Sequence, residues 1–211
     1  GLAHYLIHAN DTPQLAALGL EAARRYAEIA PTAPHAQHMP SHIFVRLGLW
    51  DEAVRSNRAS YRAVVAAGDG AGRALTADQL HAMDYMVYAY LQTGQDTAAA
   101  AVVAEAQADT AASPAQAFVA AYNRNAMVAR LALERGRWEE AARLSVRPSP
   151  GTPAAEMVTR FARGIGAVRV GDTALARAEL AALAAIEVEL GRRGDPYWPR
   201  VTRIKQQAIA A

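Results

Sequence analysis

The six histidines of this chain are unevenly spread, and three of them lie within the run PHAQHMPSHIF. These three are His35, His38 and His42. Residues three, four and seven positions apart share one side of an α-helix, so the three imidazoles can converge if this run is helical. Convergent imidazole groups are ligands for transition metals. The run is therefore a candidate metal site.

Two further pairs have the same helical spacing. His4 and His8 are four residues apart, and His81 is three residues before Asp84. Because the chain has no cysteine, any site uses imidazole and carboxylate groups, which bind Cu, Zn, Fe or Ni. The cofactor predicted is a divalent transition metal of unspecified identity. The residues predicted to bind it are His4, His8, His35, His38, His42, His81 and Asp84.

The ligand types leave several chemistries open. Two histidines and a carboxylate would suit non-haem iron, whereas three histidines would suit zinc or copper. In a catalytic site, a metal-bound water would be the nucleophile or metal-bound dioxygen the oxidant, with Asp84 or an unligated histidine moving protons. Sensing, storage or scaffolding without turnover fits the same residues. The histidines would alternatively contact a polar peptide or small molecule, or bond only to neighbouring groups.

Pro40 lies between His38 and His42. Proline has no backbone N–H and is favoured in the first turn of a helix. We therefore expect the helix to bend or restart at Pro40, with His35 and His38 on the preceding turn.

Composition narrows the class of protein and of partner. The 211 residues are 52% hydrophobic, which predicts a folded protein, and no apolar run is long enough to span a bilayer. The formal net charge is only +2, so neither nucleic acid nor an anionic membrane is a predicted partner. Without cysteine, disulfides and thiol catalysis are excluded. These features predict a soluble protein of unspecified compartment.

Apolar positions recur at three and four residues throughout the chain, which predicts an all-α protein of about ten helices. Residues typical of turns separate these helices. The predicted breaks are 10–13, 30–34, 68–72, 113–114, 147–153 and 192–199.

Four short segments repeat one pattern, in which alanine follows glycine by five residues. They are LGLWDEA (47–53), TGQDTAA (93–99), RGRWEEA (135–141) and VGDTALA (170–176). Trp50 and Trp138 occupy the same place in two of them. Glycine permits a tight turn between helices, and alanine permits close approach of the second helix. The pattern indicates four copies of a helix-turn-helix unit.

This pattern resembles the tetratricopeptide repeat over nearly the whole chain, and the runs HYLIHA and HMPSHIFVRLG resemble those of larger bacterial tetratricopeptide-repeat proteins. The resemblance implies a right-handed α-solenoid whose concave groove binds a peptide, a protein or a small molecule. It implies one domain over residues 1–211, with a truncated first repeat and a capping helix at 196–211. Since the chain begins without methionine in a helical pattern, we expect it to be part of a larger protein.

The resemblance also implies which side chains face the groove. His35, His38 and His42 fall on groove positions of one unit, and the next unit has His81, Asp84 and Tyr88 there. The first unit lacks the glycine, and either Asn10 or Asp11 takes its place, which leaves the facing of His4 and His8 open. Further groove contacts predicted are Arg46, Tyr88, Gln92, Asn123 and Arg130.

Two functions follow as hypotheses. One is a histidine-rich pocket in the N-terminal half that binds a transition metal, with or without catalysis. The other is a non-catalytic scaffold that binds protein or peptide without metal. The oligomeric state is not specified by the sequence.

Overall fold

A computed structural model of the chain describes residues 1–68, 75–108, 116–149 and 151–211. Within these ranges the regular structure is helical and no strand occurs, which confirms the all-α prediction. The described helices number twelve, partly because Pro40 divides one in two. The predicted breaks at 68–72 and 113–114 lie outside the described residues, except for Gly68.

The contacts divide the chain into two compact units, which are described separately. The first, Gly1–Gln116, is a series of helices in which each packs on its neighbours. The helices of this unit are α1 (Leu2–Asn10), α2 (Ala16–Ile29), α3 (Pro34–His38), α4 (Pro40–Arg46), α5 (Trp50–Ala66), α6 (Ala77–Gln92) and α7 (Asp96–Ala108). Helix α5 packs on α3, α4 and α6, and α2 packs on α1 and α4.

The second unit, Ala117–Ala211, has five helices. They are α8 (Ala117–Leu133), α9 (Trp138–Ala142), α10 (Pro153–Val170), α11 (Thr173–Arg192) and α12 (Trp198–Ala210). Helix α10 is central, because it contacts each of the other four. Helix α12 begins two residues after the start predicted for the capping helix. The single domain over 1–211 and the right-handed solenoid remain predictions.

A buried ionic network joins α10 to α11 in the second unit. The carboxylate of Glu179, whose side chain is 4% exposed, accepts hydrogen bonds from Arg163 Nε at 2.5 Å and Arg160 Nη1 at 3.1 Å. Arg160 Nε also donates to Glu156 Oε1 at 2.6 Å, and Arg163 Nη1 donates to the carbonyl of Leu144. The buried carboxylate is therefore balanced by two guanidinium groups.

The repeated glycine is a turn residue in all four segments. Each glycine has a positive φ, between 60° and 79°, a region that favours glycine, and each separates two helices that pack together. The alanine five residues later is buried in every case. This confirms the four predicted helical hairpins, α4/α5, α6/α7, α8/α9 and α10/α11, with glycines Gly48, Gly94, Gly136 and Gly171.

In the turn between α1 and α2, Asn10 does not take the place that glycine has in the four repeated segments. Asn10 is the last residue of α1, and no non-glycine residue in the described ranges has a positive φ. Ala16 is fully buried, whereas Leu15 is 41% exposed. The buried alanine thus follows Asp11 by five residues, so the structure favours the register in which Asp11 stands in the place of glycine.

Pro40 restarts the helix, as the sequence predicts. Helix α3 ends at His38 and α4 begins at Pro40, with Met39 buried between them. The backbone N–H of Met39 still donates to His35 O at 3.0 Å, and that of His42 donates to Met39 O at 3.2 Å. The two helices therefore stay close together despite the missing proline donor.

None of the helices in the described ranges has the length and hydropathy needed to cross a bilayer.

Candidate metal centre

Three histidines from three helices converge in the first unit. His38 ends α3, His42 lies in α4 and His81 lies in α6, and each offers a ring nitrogen within 4.8 Å of the other two. The Nε2 atoms of His38 and His42 are 3.1 Å apart. Two ligands of one ion, with bonds near 2 Å, are separated by at most about 4 Å. The three ring nitrogens are therefore close to the spacing of ligands that share one ion. We call these three residues the inner triad.

The tautomer of His38 is fixed by a buried asparagine. His38 Nδ1 lies 2.7 Å from Asn57 Oδ1, on α5. The amide nitrogen of Asn57 donates to the carbonyl of Ala53 at 2.8 Å, so its oxygen faces the imidazole as an acceptor. His38 Nδ1 therefore carries the hydrogen, and its Nε2 presents a lone pair when the ring is neutral.

His42 is held in the same way by a carboxylate. Its Nδ1 lies 2.9 Å from Asp11 Oδ2, and Asp11 Oδ1 accepts a hydrogen bond from Arg46 Nε at 2.8 Å. The hydrogen bond to Asp11 raises the pKa of Arg46. A carboxylate behind a ligand histidine is a common arrangement at metal sites, where it orients the ring and strengthens the ligand. The His42 Nε2 lone pair is thereby directed at His38.

Burial keeps both rings neutral. Burial, and next the neighbouring His81 and His42, lower the pKa of His38 to about 3. Burial also lowers the pKa of His42, although Asp11 opposes the shift. With both Nδ1 atoms donating, two lone pairs face each other at 3.1 Å, an unfavourable contact unless a cation lies beside them.

A pH dependence of stability follows from the lowered pKa of His38. As the pH falls below 6.5, the unfolded chain binds a proton at His38 that the folded chain does not, so stability is lost. Between pH 7.5 and 5, chelator-treated protein should lose about 2 kcal/mol of unfolding free energy through His38 alone. Urea unfolding at the two pH values measures this loss. His38→Gln should show a shallower dependence, and an unchanged slope in that variant would contradict the assignment.

A second group of histidines lies beside the inner triad. His4 Nε2 is 3.1 Å from the Nε2 atoms of both His8 and His35. The ring centroids of His8 and His42 are 6.0 Å apart, and those of His35 and His38 are 6.4 Å apart. All six histidines thus belong to one continuous cluster, which the sequence predicts. We call His4, His8 and His35 the outer histidines.

The other predicted residues of this unit lie around the cluster. Asp84 is 8% exposed and is not among the converging ligand atoms, which in the described part of the chain belong to the inner triad. Tyr88 packs edge-to-face on Trp50, with centroids 5.5 Å apart, and Gln92 is exposed at the end of α6. Arg46 is exposed and pairs with Asp11. The ligand role of Asp84 and the groove roles of these residues remain predictions.

Asn123 and Arg130 lie on α8, in the second unit. Asn123 is buried, and its amide nitrogen donates to the carbonyl of Val119 at 2.8 Å. Arg130 is partly exposed. Their predicted contacts with a groove ligand remain predictions.

The structure adds three residues that sequence reasoning did not place in the site: Asp11, Asn57 and Tyr85. The Tyr85 ring packs against His38, His42 and His81, with centroid distances of 4.9 to 5.3 Å, and its hydroxyl is 3.2 Å from His42 Nδ1. Tyr85 is four residues after His81, a helical spacing that signals the contact. Asn57 lies on a helix without histidine and gave no such signal.

Comparison with protein-family models, with characterised proteins and with solved structures found no match to this chain.

Proposed function

We propose that the protein binds a divalent transition-metal ion through the imidazoles of the inner triad. The observation that carries this proposal is the 3.1 Å contact between the Nε2 atoms of His38 and His42. Both rings donate through Nδ1 to oxygen, on Asn57 and Asp11, which leaves both Nε2 atoms as bare donors of electron pairs. A cation coordinated by both nitrogens turns this unfavourable contact into a stabilising one.

The ligand set favours zinc or copper. Among the described residues, no carboxylate converges with the three imidazoles, and three imidazoles suit these ions better than non-haem iron, which commonly takes two histidines and a carboxylate. Three protein ligands also leave a coordination position for water or an added ligand, as catalytic zinc sites do. The same open position is a requirement for metal-dependent catalysis.

The scaffold we propose for this site is a tetratricopeptide-like array. The four glycine turns, each followed by a buried alanine and a packed helical pair, support this proposal. In that arrangement α3, α4 and α6 are first helices of their units, and Asn57 on α5 belongs to a second helix. The site therefore takes its ligands from first helices and its support for His38 from a second helix.

Zinc titration of protein produced without a histidine tag tests the proposal. After removal of metal with a chelator, Zn²⁺ should bind with at least one equivalent, measured by calorimetry, and raise the melting temperature. His81→Ala should lose the tightest equivalent, because two ligands remain of three. Tyr88→Phe, which removes only the hydroxyl of a ring that packs on Trp50, is the matched control on α6 and should retain that equivalent.

Two results would contradict the proposal. One is wild-type protein that neither binds Zn²⁺ nor changes its melting temperature, which would favour the metal-free peptide-binding scaffold. The other is a His81→Ala variant with wild-type affinity and stoichiometry.

A further inference from the structure

The outer histidines make two close contacts between ring nitrogens, and only one of these contacts can be a good hydrogen bond. His4 Nε2 lies 3.1 Å from His8 Nε2 and 3.1 Å from His35 Nε2. A neutral ring nitrogen has either one hydrogen or one lone pair, so it serves one good hydrogen bond. A cation, by contrast, accepts a lone pair from each of several nitrogens. The pattern is therefore better matched to an ion than to a hydrogen-bonded network.

We infer that the outer histidines bind a second transition-metal ion beside the inner triad. His4 and His8 supply two ligands from one face of α1, at the four-residue spacing that brings imidazoles together. His35 supplies the third from α3. The ligands of this second site differ from those of the inner triad, so it can be tested independently of the proposed function.

Closure of the outer site requires side-chain rotation. His8 and His35 each contact His4, but the ligand atoms of these three histidines are not all within 4.8 Å of one another, in the part of the chain that is described. Both side chains are exposed, so their rings can turn toward a common ion without repacking the core. Ordering these two exposed rings lowers the affinity, and we expect it to be about tenfold or more below that of the inner triad.

The two sites share one cluster and so form a two-metal centre. Rings of the outer group lie 6.0 and 6.4 Å from rings of the inner triad, through the pairs His8 with His42 and His35 with His38. The outer ion would be accessible to solvent, while His38 of the inner triad is buried.

Stoichiometry in matched variants tests this inference. Wild-type protein should bind two equivalents of Zn²⁺, and the double variant His4→Ala with His35→Ala should bind one, at the higher affinity. The double variant His38→Ala with His42→Ala should lose the tighter equivalent. Tyr5→Ala is the control on α1, since Tyr5 is 71% exposed, and it should keep both equivalents.

Loading with Cu²⁺ provides a second measurement. At two equivalents, the electron paramagnetic resonance spectrum should show broadening from the interaction of two nearby ions, and the His4→Ala, His35→Ala variant should give a single isolated signal. Isolated signals at two equivalents in wild-type protein would overturn the two-metal centre.

The outcomes of the zinc titration separate the two proposals. One equivalent in wild-type protein, unchanged in the His4→Ala, His35→Ala variant, overturns the second site and leaves the inner triad standing. Two equivalents in that variant also overturn it. One equivalent that disappears with the outer histidines alone would support the outer site and overturn the inner one. Absence of binding in wild-type protein overturns both.

Discussion

Replacing both His38 and His42 with alanine is expected to lower the zinc affinity of the inner triad by about a thousandfold or more. The change removes two of three ligands, and one imidazole does not hold the ion against water. It also removes the two Nε2 atoms whose 3.1 Å contact indicates the site. Calorimetry and metal analysis after dialysis measure the loss. Circular dichroism checks that the variant keeps its helices.

Asp11→Asn is the graded control for this loss, because it leaves all three ligands in place and weakens only the bond behind His42. Loss of such an outer partner lowers metal affinity by roughly 10- to 100-fold. We therefore expect Asp11→Asn to lie between wild-type protein and the double variant. Wild-type zinc content in the double variant would refute the assignment of the inner triad.

Replacing Glu179 with alanine is expected to give a large loss of stability in the second unit, about 3 to 5 kcal/mol of unfolding free energy. The buried carboxylate accepts hydrogen bonds from both Arg160 and Arg163. Without it, two partly buried guanidinium groups repel each other, and only Arg160 keeps a carboxylate partner in this network, Glu156. The loss arises from unbalanced charge rather than from the small volume removed.

Urea unfolding in a Trp50→Phe background measures this effect, because the remaining tryptophans, Trp138 and Trp198, both lie in the second unit. Glu179→Gln is the matched variant, since it keeps the shape and one acceptor while removing the charge. It should be destabilised as well, but less than Glu179→Ala. A loss below about 1 kcal/mol in the alanine variant, the range typical of surface ion pairs, would show that the network contributes little.

Local patterns in the sequence were sufficient to predict the all-α class and four of the turns between helices. The glycine-to-alanine spacing identified four hairpins, because a positive φ and a close helix approach each restrict the residue type. Pro40 predicted the restart of the helix for an equally local reason. The register of the first hairpin was ambiguous, since Asp11 adopts an ordinary φ of −74° and no residue type marks that conformation.

The histidines of the site could be predicted from the sequence, but the residues that hydrogen-bond to them or pack on them could not. Helical spacing brings His38 and His42 together, and the repeat brings His81 beside them. Asp84 remains a prediction, whereas Tyr85, one residue further along α6, packs on the triad and was not predicted. Asn57 reaches His38 from α5, a contact that depends on how helices pack and that no spacing in one helix reveals.

Asp11, between α1 and α2, has a side chain that connects this turn to α4, which a glycine in the same place could not do. Asp11 belongs to a loop, yet its carboxylate bonds to His42 and Arg46 on α4. An ion on His42 draws electron density from the ring and strengthens its Nδ1–H bond to Asp11. By thermodynamic reciprocity, whatever orders this loop also favours the ion, and the ion in turn slows the opening of α1 and α2. The rate of amide hydrogen exchange in α1 and α2 would therefore report whether the inner triad holds an ion.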